Sequence, residues 1–281
     1  MIEHKKYIYA TAGSLLFMIM GPLLQYLCIY ISINTESSIH ISEESWFLSK
    51  LITRCLIIPF LGLSLISSEI KTKNSYLGKT EFIKMCCIAT SVMYFCLLIG
   101  NFFISICNNT TSTQYYHDPL HILIGTVIVS PIAEELVYRK IILGYLLSCD
   151  EWCAVIYSAE LFGLMHLNLV QLVYAFPVGI LLGYIYIQSG GKIVACIAMH
   201  SYLNFIFYFL PISLHNFKFA QMVYVGIMAF LLILGLIFSR KFFHIKYLKK
   251  FVISVNEIFH SLTIKIFVFF SIFIMIIFFL Q

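Results

Sequence analysis

Glu134, Glu135, Arg139 and Lys140 stand within the ten residues PIAEELVYRK (131–140), flanked by the apolar runs HILIGTVIVS and IILGYLL. Further along, His166 closes the run ELFGLMH, and His200 and Asn204 sit in MHSYLN. A charge at mid-bilayer costs about 2.5–3.5 kcal/mol on insertion scales, so an ionisable side chain in such a run reads first as a functional group. Glu135 and Arg139 are four residues apart and share a helix face,. An ion pair there neutralises one carboxylate and helps satisfy both groups in a low dielectric. Glu134 is about 140° round the helix from Arg139, turned toward whatever cavity the helices leave. Pro131 cannot donate to the carbonyl of Val127, which permits a kink just before the acidic pair,.

A carboxylate, two imidazoles and an amide suit water activation with oxyanion stabilisation. Glu134 is the candidate base. His166 orients the water or shares its proton, and His200 with Asn204, again four apart on one face, holds the developing oxyanion,. The alternative chemistry is metal binding. Glu134, His166 and His200 are a ligand set used by catalytic zinc, with an open position for water. The spacing is not H-E-x-x-H, so that zinc signature is absent,.

These groups need elements to carry them. The 281-residue chain is 61% hydrophobic and 11% charged, with mean hydropathy +0.94; soluble domains carry about 25% charged residues. The composition implies an all-α polytopic membrane protein and gives no ground for a nucleic-acid partner. A span takes about 20 apolar residues. Candidate segments are 7–32, 47–67, 82–107, 119–147, 152–168, 170–188, 193–210, 219–238 and 262–280, giving eight or nine transmembrane helices with the site inside the bundle. Lys5 and Lys6, the loop with Lys71, Lys73 and Lys79, Lys192, and the loop with Arg240, Lys241, Lys246, Lys249 and Lys250 all fall on one side if nine crossings alternate. The positive-inside rule then places the N-terminus in the cytoplasm, with the protein in the cell membrane. Nine cysteines, most in apolar runs and without a CxxC pair, read as small hydrophobes,.

Depth supports convergence. With Ser148 to Asp150 as a tight turn, Glu134 lies 14 residues before it and His166 lies 16 after it. At 1.5 Å per residue both are about 21–24 Å from that turn. Asn204, 12 residues past Lys192, is about 18 Å deep on the same rise. Arg54 and Lys84 sit near segment ends and can snorkel,. Glu160 either pairs structurally or lines the chamber, and Lys140 pairs with Glu160 or snorkels.

EELVYR (134–139), FGLMH (162–166) and HSYLN (200–204) resemble, in order and spacing, the motifs EExxxR, FxxxH and HxxxN of the CAAX protease and bacteriocin-processing enzyme family, also called the Abi family, of intramembrane endopeptidases. The resemblance covers about a third of the chain, roughly residues 115–210. It implies a multi-helix membrane fold with a membrane-embedded chamber. It implies Glu134 as water-activating base supported by Glu135 and Arg139, His166 as its partner, and His200 and Asn204 as the oxyanion site. It also implies a membrane-associated peptide or lipidated protein as substrate, either prenylated CAAX proteins or, in bacteria, peptides of pheromone or bacteriocin maturation and self-immunity. The Ile-, Lys- and Asn-leaning composition leans toward the bacterial roles. The family has been described both as metalloprotease and as glutamate-dependent without metal; the helix-face reading favours no required cofactor, with zinc as the alternative. The domain reading is then N-terminal helices over 1–110, a catalytic core over 111–210 and C-terminal helices over 211–281. Two other classes use the same residues. An ion- or proton-coupled transporter would use them as a relay, although no inverted repeat is present. A catalytically silent scaffold would tolerate alanine at every motif position.

Overall fold

The computed structural model describes residues 6–14, 30, 77–106, 119–148, 150–166 and 168–242. Every regular element among them is helical. The expected segments at 47–67 and 262–280, most of 7–32, and the loops carrying Lys71, Lys73 and Lys246 to Lys250 lie outside the described residues. We name the main helices α1 (Lys79–Ile106), α2 (Pro119–Leu146), α3 (Glu151–Leu164), α4 (Leu169–Gln188), α5 (Ile193–Ser213) and α6 (Lys218–Phe242). Five of these, all but α3, are long and apolar enough to cross a membrane. The chain is thus a multi-pass membrane protein.

The expected fifth span is corrected. Asp150 caps α3, its carboxylate accepting from the N–H groups of Trp152 (2.9 Å) and Cys153 (3.0 Å), the usual device for satisfying the orphan donors of a helix start. The helix then ends after 14 residues. At 1.5 Å per residue it rises about 21 Å, short of the roughly 30 Å hydrocarbon core. His166 therefore lies on the connection beyond the helix rather than within it. Asn168 opens α4 by accepting from Gln171 N–H at 3.0 Å.

α3 and α4 pack as an antiparallel hairpin whose register is fixed by glycines. A Cβ on Gly179 would meet Ala159 Cβ at 3.0 Å and Phe162 Cδ1 at 3.3 Å, and one on Gly183 would meet Val155 Cγ1 at 3.0 Å. Small residues let membrane helices approach this closely, where packing rather than the hydrophobic effect holds helices together. α4 stops at a Gly-Gly turn: Gly190 and Gly191 have φ of 69° and 78°, and Gly191 N–H returns to Tyr186 O at 2.8 Å,. The hairpin brings the turn at Lys192 back to the side of the turn at Ser148.

α2 is wound unusually. It alternates between π-helix (Ile122–Val129 and Leu136–Leu143) and a short α-helical insert (Ser130–Glu135) that holds Pro131 and both glutamates. A further π segment, Phe205–Phe209, follows Asn204 in α5. Such windings are rare and cluster at functional sites. The core is formed largely by α2 to α5, with Tyr138, Leu143, Leu146, Leu161, Leu182, Ile185, Tyr186, Met199 and Leu203 at or near zero exposure. α6 lies against α1 so tightly that a Cβ on Gly235 would fall 2.2 Å from Cys87 O. Its opposite side exposes Phe219, Met222 and Val225.

A Gly179→Val substitution drives a branched side chain into Ala159 and Phe162. Overpacking of this kind costs about 1–3 kcal/mol. Thermal unfolding in detergent should show a clearly lower midpoint; an unchanged midpoint would contradict the close approach of α3 and α4.

Candidate functional site

Glu135 and Arg139 are both completely buried, and Glu135 Oε2 lies 3.2 Å from Arg139 Nε. The expected ion pair is therefore present, although α2 passes into a π winding between the two residues. The contact is close but not aligned as a hydrogen bond, and Arg139 Nη1 has no hydrogen-bond partner among the described residues. The guanidinium is held by two other contacts. Nη2 donates to Gly179 O at 3.2 Å, and the cation lies over the Phe162 ring at 4.4 Å from its centroid, a favourable arrangement when desolvated.

His200 shares the cavity with Asn204, as their common helix face implies, and has further partners. Its ring stands between the two glutamates: Nδ1 is 2.8 Å from Glu135 Oε1, and Nε2 is 3.8 Å from Glu134 Oε2. A carboxylate can only accept, so Nδ1 carries the proton of the shorter contact. Glu135 thus has one oxygen on an arginine and the other on a histidine. Glu134, 4% exposed, stands on the other side of the imidazole.

His166 Nδ1 contacts Phe162 O at 3.0 Å. A carbonyl also can only accept, so Nδ1–H donates, and in the neutral ring Nε2 presents a lone pair. Phe162 organises both histidines. Its ring meets His166 edge-on at 5.3 Å, His200 at 5.6 Å and Tyr138 at 5.5 Å. Tyr138 is tied in turn to the N-terminal stretch by a 3.2 Å contact with Ser14 Oγ. The fourth expected group, Asn204, donates from Nδ2 to Thr126 O at 2.8 Å.

Glu134, His166, His200 and Asn204 line one cavity of about 310 Å³, together with Phe162, Thr126 and Ser130. Glu135 and Arg139 are not among its lining residues and lie behind it. The size is at the lower end of ligand pockets. Glu160 does not line this cavity. Lys140 is exposed and pairs with no carboxylate among the described residues, while Lys84 pairs with Glu81 at 2.6 Å.

The sequence reading missed one wall of the cavity. Gln171, Tyr174 and Tyr208 line it, and the Tyr174 and Tyr208 hydroxyls hydrogen-bond across from α4 to the π segment of α5. Tyrosines in apolar runs read as interfacial or lipid-facing, and only the meeting of two helices separates these two from the rest. Thr126, Ser130 and Glu134 are four residues apart in succession, a polar stripe that the spacing could have shown,.

Glu134, His166 and His200, the metal alternative's ligand set, all line the cavity. Among the described residues no three His, Cys, Asp or Glu side chains form a group that could hold a metal ion.

Residues 116–206, about a third of the chain, match the family model of type II CAAX prenyl endopeptidase Rce1-like proteins. The match encloses all three motifs, so the resemblance read from them is shown over this stretch. The family is one of CAAX-type proteases, which supports a hydrolase. No curated protein and no solved structure matches the chain.

The Glu135–Arg139 pair generates an asymmetric prediction. Arg139→Ala leaves a buried carboxylate without its cation, a change that costs about 3–5 kcal/mol. Arg139→Met combined with Glu135→Leu removes both charges and should recover part of that loss, but not all, because His200 then loses its acceptor. Unfolding midpoints of the single and double variants check this; equal loss in both would show that charge burial is not the cause.

Proposed function

We propose that this protein is an intramembrane endopeptidase of the cell membrane that hydrolyses a peptide bond in a membrane-associated peptide or lipidated protein. The observation that carries this reading is the gathering of Glu134, His166, His200 and Asn204 on one cavity, inside the stretch that matches a protease family. Glu134 takes a proton from a water as that water attacks the substrate carbonyl. His166, with its lone pair on Nε2, accepts from the same water and aims it. The carbonyl oxygen becomes an oxyanion, which the second amide hydrogen of Asn204 can meet. His200 can add a donor from Nε2 only as the imidazolium, since Nδ1 is committed to Glu135. Glu135, 2.8 Å from Nδ1, supplies the countercharge for that form. Collapse of the tetrahedral intermediate breaks the C–N bond, and the proton held by Glu134 passes to the leaving amine.

Arg139 and Glu135 have no reacting partner in this scheme. They hold His200 and Phe162 in place, and Phe162 holds His166. A preorganised set of this kind needs no reorganisation as charge develops. The reading requires no metal, and Lewis-acid chemistry by zinc on Glu134, His166 and His200 is the competing account.

Purified protein in detergent, assayed with internally quenched peptides carrying either a farnesylated cysteine or a plain apolar segment, tests the reading. Cleavage of at least one is expected, and Glu134→Gln should lower kcat/KM by about 10²–10⁴. Wild-type cleavage by Glu134→Gln would remove Glu134 as the base. A chelator should leave the rate unchanged; loss of activity restored by zinc would decide for the metal account.

A further inference from the structure

Asn204 has a second task that the motif alone does not suggest. Through Val129 α2 follows π bonding, and Ser130 N–H continues it by reaching Gly125 O, five residues back. The next bond in that register would run from residue 131 to Thr126 O. Residue 131 is proline and has no N–H,. Thr126 O is the carbonyl that Asn204 Nδ2 reaches from α5 at 2.8 Å. In a membrane-spanning helix a carbonyl left without its backbone donor is costly unless a neighbouring group supplies one. Helix-interior prolines are tolerated there where a neighbouring helix supplies the missing donor.

We infer that Asn204 fills the hydrogen-bond gap that Pro131 opens in α2, and that Pro131 is thereby a positioning residue for the Asn204 amide. Three features meet in this one contact. The proline stands three residues before Glu134 and shares the short α-helical insert with both glutamates. The asparagine is the last residue of α-helical winding in α5 before the π segment Phe205–Phe209. The bond ties the wall that bears Glu134 to the wall that bears His200. One amide hydrogen of Asn204 is committed to Thr126, so the amide plane is fixed while the residue faces the cavity. The positioning half of this inference rests on the proposed hydrolysis; the gap-filling half does not.

A melting cycle in detergent tests the gap-filling half without any substrate. The four proteins are the wild type, Asn204→Ala, Pro131→Ala and the double variant. In the wild-type background Asn204→Ala removes the donor from the part-buried Thr126 carbonyl and should lower the midpoint. In the Pro131→Ala background the restored N–H takes Thr126 O, and the same change should cost half as much or less, the signature of coupled sites. Pro131→Ser, which also restores the N–H, provides a second background. Equal losses in all backgrounds would overturn the inference. For the positioning half, Pro131→Ala should lower kcat about three- to tenfold, the size of one misplaced hydrogen bond, with KM unchanged. Unchanged kcat, or a rise in KM alone, would overturn that half. Absence of cleavage by the wild type would strike the proposed function and leave the melting cycle to judge the inference.

Discussion

A fully buried guanidinium facing a fully buried carboxylate is the constraint around which the described helices are arranged. Neither Arg139 nor Glu135 could be left without the other in a low dielectric. Arg139 must reach α2's own Glu135, the Gly179 carbonyl of α4 and the Phe162 ring of α3 at once. That is possible only if α3 and α4 come into near contact with each other, which the glycines at 179 and 183 allow. The other oxygen of Glu135 then fixes His200 on α5. One ion pair thus sets the relative positions of four helices, and the cavity is what remains in front of it.

The same arrangement explains why two adjacent glutamates have different surroundings. Glu135 is occupied on both oxygens by a cation and an imidazole. Glu134, one residue earlier, lines the cavity. The pairing at positions 135 and 139 and the turning away of 134 were legible in sequence, because both follow from rotation along one helix. So were the common face of His200 and Asn204 and the tight turn at Asp150. What could not be read was set by contacts between helices. The seat of His200 between two carboxylates depends on α2 meeting α5. Tyr174 and Tyr208 became a polar wall only because α4 meets the π segment of α5. The π windings themselves leave no mark in a pattern of apolar residues, and α3 proved 14 residues long because Asn168 starts a new helix soon after it.

The short α3 also bears on the chemistry. A break in helical backbone at membrane depth is tolerated where protein buries it or where it lines a cavity that admits water. His166 sits at such a break and faces the cavity. A hydrolase in a bilayer needs a place for water beside its base, and a polar stripe of Thr126, Ser130 and Glu134 lines the same space. The buried pair behind and the cavity in front are complementary: the first holds the geometry, and in the proposed reaction the second admits the reactant.

The most direct test of the account is made in cells. Membrane proteomes of cells producing the wild-type protein and cells producing Glu134→Gln at equal level are compared by quantitative mass spectrometry of peptide termini. The account predicts that at least one membrane-associated precursor accumulates uncut in the variant cells, with loss of the matching new terminus. Identical termini and identical precursor levels in both would contradict it.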